Sequence, residues 1–300
     1  MAQLKDVAVY FDASKCTACK GCQVACKQWN QLPSALDDKD YEFDPSFTYP
    51  RNNTGDTWLH MNLEETEDSK GNLGWAFGRV SCQHCTDAAC VDACPTGACH
   101  KTAEGAVVID QDKCIGCKYC VAACPFSVPK FRERDGKTQK CTMCLDRIEN
   151  DRRPACVTTC PTGALQFGDR YDMIALAKTR LNEIKPNRPD AMIYGLTEMG
   201  GLHVIQVLPY GPKAHHLPEN PEVSVLTLAS KFMKPIAGIG ALAVAALSGI
   251  AFIGARGYKR DVDDWKFDPE TGITYDKGVP IDDEHKDAPA EASQEAKGGE

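Results

Sequence analysis

Cysteine dominates the chemistry available to this chain: seventeen of its 300 residues are cysteine, and sixteen of them fall in four groups. The first group is Cys16, Cys19, Cys22 and Cys26, and the third is Cys114, Cys117, Cys120 and Cys124, followed by Pro125. In both, successive cysteines are separated by two, two and three residues. The second group is a stretched version, Cys82, Cys85, Cys90 and Cys94, followed by Pro95. The fourth opens wider, Cys141, Cys144, Cys156 and Cys160, followed by Pro161. A tight loop of this kind directs three thiolates at three irons of one cube, while the fourth cysteine, entering a helix, points at a neighbouring cube. Two groups therefore complete two [4Fe–4S] clusters, and four groups complete four, with all sixteen cysteines as metal ligands.

Groups one and three carry the bacterial ferredoxin spacing. Gly21 and Gly116 relax the backbone inside or beside the loops, and a proline after the last cysteine fixes the chain as it leaves. Group one has Lys27 in place of that proline. Structural zinc is the competing use of Cys-x-x-Cys pairs, but zinc takes two well-separated pairs per ion, and here three cysteines lie within seven residues. A complete set of disulfides is excluded by the odd count, and the tripled runs leave too little room for unstrained bridges. Spacing alone leaves open which groups share a unit. Cys99 is the cysteine outside the groups, and its simplest reading is a small buried apolar residue. His84, between Cys82 and Cys85, either donates a hydrogen bond to a cluster sulfur or faces solvent.

The elements that must position these loops are short. Residues 57–63 and 74–80 read as strands joined by a turn at residues 69–72, all within an insertion over residues 27–81. Residues 106–109 and 164–167 read as strands that follow cysteine groups, and residues 203–208 as another. Residues 172–184 have apolar side chains at a helical period and are followed by Pro186. The expected organisation is a cluster-bearing α+β region over residues 1–209, with a second ferredoxin unit over 82–130. A linker over 210–230, a membrane helix over 231–258 and an acidic, disordered tail over 259–300 follow.

Composition is that of a globular protein, 43% hydrophobic and 25% charged. The net charge of −8 belongs to the tail: residues 261–300 carry thirteen acidic and four basic residues, −9, which leaves +1 for the rest. No basic stripe interleaved with aromatics appears, which argues against a nucleic-acid partner. Residues 235–255 carry no charge over 21 positions, about 31 Å as a helix, enough to cross a bilayer. Ala237, Ala241, Ala245 and Gly249 form a small-residue ridge for a second membrane helix, and the span has no histidine to ligate haem. More positive charges flank its C-terminal side, namely Arg256, Lys259, Arg260 and Lys266. That orientation puts the tail in the cytoplasm and the cysteine region outside. No leader precedes Val7, so export in complex with a signal-bearing partner is expected. No phosphate loop, zinc-protease helix or catalytic triad is visible, so the chain is expected to be non-catalytic.

The four groups, the apolar segment and the run His216-Leu217-Pro218-Glu219-Asn220-Pro221 before it together resemble the iron–sulfur subunit of membrane-bound respiratory formate dehydrogenases. The groups alone also fit the wider class of four-cluster subunits of molybdopterin oxidoreductases, and a free polyferredoxin is the remaining alternative. The resemblance implies two intertwined ferredoxin-like units, with group one paired to four and two to three. It implies four ligand sets: Cys16, Cys19, Cys22 with Cys160; Cys141, Cys144, Cys156 with Cys26; Cys82, Cys85, Cys90 with Cys124; and Cys114, Cys117, Cys120 with Cys94. It further implies a catalytic subunit with a molybdenum or tungsten bis-pterin site as electron source, a membrane cytochrome b subunit as electron sink, and a place in the inner membrane.

Overall fold

The structure, a computed structural model, describes residues 6–34, 46–223, 240, 243–253, 265–270, 274–276 and 279–281. It divides into two compact units, Met1–Phe232 and Met233–Glu300. In chain order the first unit has β1 (Val7–Asp12), α1 (Gly21–Trp29), β2 (His60–Glu67), β3 (Leu73–Val80), α2 (Ala89–Asp92), β4 (Cys99–Lys101), β5 (Val107–Ile109) and α3 (Tyr119–Ala123). It continues with β6 (Lys130–Arg132), β7 (Lys137–Gln139), α4 (Leu145–Ile148), α5 (Ala155–Thr158), β8 (Leu165–Asp169), α6 (Arg170–Ile184), β9 (Met192–Tyr194) and β10 (Val204–Leu208). This is the expected α+β class.

A four-stranded sheet in the order β8-β1-β10-β9 forms the floor. β1 runs parallel to β10 and antiparallel to β8. Both central strands are buried along their whole length, because each face is covered. Side chains alternate across a strand, so Ala8, Tyr10, Ile205 and Val207 pack under α6 with Ala177 and Ile184. Val7, Val9, Phe11, Val204 and Leu208 face the other way, into the core that holds the cysteine groups. α6 starts where the Asp169 carboxylate accepts the Tyr171 N–H at 2.8 Å, a side-chain cap.

A smaller copy of part of this sheet recurs. β1 leads into group one and pairs antiparallel with β8, which follows group four, with Phe11 opposite Leu165. β5 leads into group three and pairs antiparallel with β4, which follows group two, with Ile109 opposite Cys99. In both pairs the strand residue lies five before the first cysteine of one group, and its partner five after the last cysteine of the other. The helices repeat the relation, α1 against α5 and α2 against α3. Within the first compact unit, groups one and four thus share one ferredoxin-like half, and groups two and three the other.

β2 and β3 form the hairpin of the predicted insertion, turning at residues 68–72 where Asp68 accepts the N–H groups of Lys70 and Asn72. β2 extends to Glu67, beyond the apolar stretch seen in sequence, as its second half is a solvent-facing edge of acidic residues. Within the predicted linker, Pro212–His215 makes a 3-10 turn against this hairpin, with His215 Nδ1 bonded to the Phe77 carbonyl at 2.9 Å.

The second unit is helical over residues 243–253, where Val244, Leu247, Ile250, Phe252 and Ile253 are exposed. The rest of the predicted span, apart from Gly240, lies outside the described residues. Among the described residues no helix is long and apolar enough to cross a membrane. β11 (Trp265–Phe267), β12 (Thr274–Asp276) and β13 (Val279–Ile281) form an antiparallel sheet, which differs from the disorder expected for that part of the tail.

Candidate metal centres

All four Cys-x-x-Cys loops turn in the same way. The residue before the second cysteine is left-handed in each: Ala18 at φ 49°, His84 at 47°, Gly116 at 69° and Met143 at 59°. Three of the four are not glycine, so the bend is held against local preference by the surrounding packing. The turn aims a backbone donor at the first thiol, Ala18 N–H to Cys16 Sγ at 3.3 Å and Met143 N–H to Cys141 Sγ at 3.4 Å. The strands that follow groups two and four supply another, Cys99 N–H to Cys94 Sγ and Leu165 N–H to Cys160 Sγ, both 3.4 Å. Gly116 is the more constrained of the two predicted loop glycines, since a Cβ there would meet the Gly136 carbonyl oxygen at 2.0 Å. Gly21 begins α1 without a positive φ.

The cysteines gather in sets of four. Site A is a cavity walled by Cys16, Cys19, Cys22 and Cys160. Site C is walled by Cys82, Cys85, Cys90 and Cys124, and site D by Cys94, Cys114, Cys117 and Cys120, with Cys99 beside them. Site B is Cys26, Cys141, Cys144 and Cys156: burial first, then the other three thiols, push Cys26 well above the ordinary thiol range. All seventeen cysteines are free of disulfides. Among the described residues no three His, Cys, Asp or Glu side chains converge closely enough to hold a single metal ion.

The donor set fits an iron–sulfur cluster. Burial pushes Cys16, Cys120 and Cys141 up to about 11 and Cys22, Cys124 and Cys144 up to about 12. A thiolate at these positions requires positive charge close by, which iron supplies. The backbone donors to sulfur stabilise the same charge.

Neighbouring thiols of different sets link the sites in a row. Cys22 of site A feels Cys156 of site B, Cys141 of site B feels Cys82 of site C, and Cys120 of site D feels Cys90 of site C. The two exposed cysteines, Cys19 and Cys117, belong to the terminal sites A and D.

His84 is 1% exposed, which removes the solvent-facing reading. Its Nδ1 accepts the Val107 N–H at 3.0 Å, so the ring proton sits on Nε2, a buried donor without a partner among the described residues. Cys99 is 2% exposed beside Ala88 and Val107, as expected, and its thiol is also hydrogen-bonded to Cys90. Sequence reading missed two buried cations, Arg79 and Lys140. Their signal was slight: each is a charge within three residues of a group's first cysteine. Gln83 and Gln206, buried and joined at 3.0 Å, were also missed, because the pair spans 123 residues.

The fold and sites define a multi-centre iron–sulfur electron carrier. Residues 73–170 match the family described as "4Fe-4S dicluster domain". The chain is 37% identical over 263 residues to the formate dehydrogenase-O iron-sulfur subunit of Escherichia coli (strain K12), covering 86% of each. It is 36% identical over 267 residues to the formate dehydrogenase iron-sulfur subunit of Haemophilus influenzae, covering 86% of this chain and 84% of that one. It is also 40% identical over 160 residues to the B subunit of anaerobic dimethyl sulfoxide reductase of Escherichia coli, covering 53% of this chain and 71% of that one. This protein belongs to the family of formate dehydrogenase iron–sulfur subunits, and it is an electron-transfer subunit rather than a catalytic one.

Proposed function

We propose that this chain carries four [4Fe–4S] clusters on its sixteen grouped cysteines and conducts electrons within a membrane-bound formate dehydrogenase. The observation that carries the reading is the gathering of those cysteines into four sets in a row, with exposed thiols only at the two ends. When bound, the clusters supply one-electron redox centres. The chain's residues hold them, exclude water from the two middle sites, and direct N–H donors at the ligand sulfurs. Burial inside the row and access at its ends suit a path that accepts an electron on one surface and delivers it on another.

The donor is a catalytic subunit with a molybdenum or tungsten bis-pterin site that oxidises formate, and the acceptor is a membrane cytochrome b subunit. The support is likeness to formate dehydrogenase iron–sulfur subunits over 86% of the chain, against 53% for the dimethyl sulfoxide reductase subunit. The uncharged segment over residues 235–255 is the single membrane anchor, with the tail cytoplasmic and the cluster region periplasmic. Purification in mild detergent followed by mass identification of attached subunits tests this. A pterin-containing subunit and a cytochrome b are expected, and quantitative recovery of the chain alone, without detergent, contradicts the reading.

A further inference from the structure

Two cations are buried where neighbouring sites meet. Arg79, in β3, is 2% exposed. Its Nη1 donates to Ser81 Oγ, its Nη2 approaches Cys156 Sγ of site B at 3.9 Å, and its Nε has no partner among the described residues. Cys22 of site A lies within its field. Lys140 is 3% exposed, immediately precedes Cys141 of site B, and lines the cavity of site C. Its Nζ donates to the carbonyls of Val107 and, at 3.2 Å, Cys141. Among the described residues neither cation has a carboxylate within ion-pair distance, although the other ion pairs of this unit are ordinary ones.

A buried, unpaired cation is costly, and a guanidinium cannot escape the cost by losing its proton. Here the available negative charge is that of thiolate-ligated sites. We propose that Arg79 and Lys140 are fixed positive charges that set the reduction potentials of the sites they join, Arg79 for A and B, Lys140 for B and C. Adding an electron adds negative charge, and a cation within a few ångströms in a low-dielectric interior favours that state. Site B lies under both cations. Site D has in its wall only the exposed Lys118, whose charge water screens. The two are positioning residues for potential, touching neither formate nor quinone.

The inference rests on the four-cluster reading, and its test separates the two. The full-length chain, isolated anaerobically with its clusters, is titrated potentiometrically and followed by electron paramagnetic resonance. In Arg79→Gln two of four midpoint potentials are expected to fall, each by at least a tenfold loss in the reduction equilibrium, about 59 mV for one electron. Lys140→Gln lowers two, one of them shared with Arg79→Gln, and one centre is unaffected by either. Arg79→Lys keeps the charge and stays near the parent values. Unchanged potentials in both Gln variants at full iron content overturn the proposal. Loss of iron in both Arg79→Gln and Arg79→Lys also overturns it, since the residue is then needed for packing rather than charge. A parent chain with far fewer than four centres removes the four-cluster reading, and this proposal with it.

Discussion

The Cys99 thiol is hydrogen-bonded to Cys90, which joins the wall of site D to a ligand position of site C. That bond pushes Cys90 down and Cys99 up, and Cys99, opposite Ile109, stands where the larger sheet has Leu165, opposite Phe11. A position that the equivalent strand fills with leucine is not a ligand position. Cys99→Ala is therefore expected to retain the full iron content, whereas Cys120→Ala loses one cluster. Iron analysis of the two variants checks this, and iron loss in Cys99→Ala contradicts it.

Gly116 turns group three with φ at 69°, and a Cβ would strike the Gly136 carbonyl oxygen. Gly116→Ala is expected to lose the iron of site D. Gly97 has a similar φ of 68° but nothing within 4 Å of where a Cβ would stand, so Gly97→Ala costs only about 1 kcal/mol and keeps its iron. Visible absorbance per chain distinguishes the two.

Arg180 Nε bonds Asp12 Oδ2 at 2.8 Å and ties α6 to the end of β1, just before group one. The Asp12 side chain is fully buried and that of Arg180 is 23% exposed. Removing the cation leaves a buried carboxylate whose remaining donors are Ser14 and the Tyr10 hydroxyl. Arg180→Ala is expected to destabilise the first unit by about 3 kcal/mol. Denaturant midpoints measured with clusters intact check the value.

Burial lowers His60 and His215 to about 4, and both sit where the β2–β3 hairpin meets the 3-10 turn. Each is neutral when folded and binds its proton more readily unfolded, so its contribution is complete above the unfolded value near 6.5 and is lost as pH falls from there towards 4. At pH 5 each histidine has lost about 2 kcal/mol. Protection factors for amide hydrogen exchange in β2 and β3, taken against the intrinsic rate at each pH, are expected to fall between pH 7 and pH 5, and less so in His215→Leu.

Much of this was legible in the residue order, for reasons that differ between elements. The cysteine spacing announces its chemistry because three ligands of one cube come from one cysteine group. The hairpin and α6 are visible because Gly71 and Pro186 mark their limits. The pairing of groups one with four and two with three was not legible, because it depends on β1 meeting β8 some 150 residues later. Left-handed turns at Ala18, His84 and Met143 carry no glycine to betray them. The strands at Trp265–Phe267 and Val279–Ile281 were lost in an acidic tail, where the count of apolar residues hid their alternation. Arg79 lies in a strand whose sequence gives no sign of its burial, and only the fold brings Cys156, 77 residues away, to its side.

The most direct test of the account is the iron and acid-labile sulfide content of the full-length chain, isolated anaerobically and fully reconstituted. Sixteen of each per chain is expected from four cubes on the sixteen grouped cysteines. About eight of each, two cubes only, or zinc in place of iron, contradicts it.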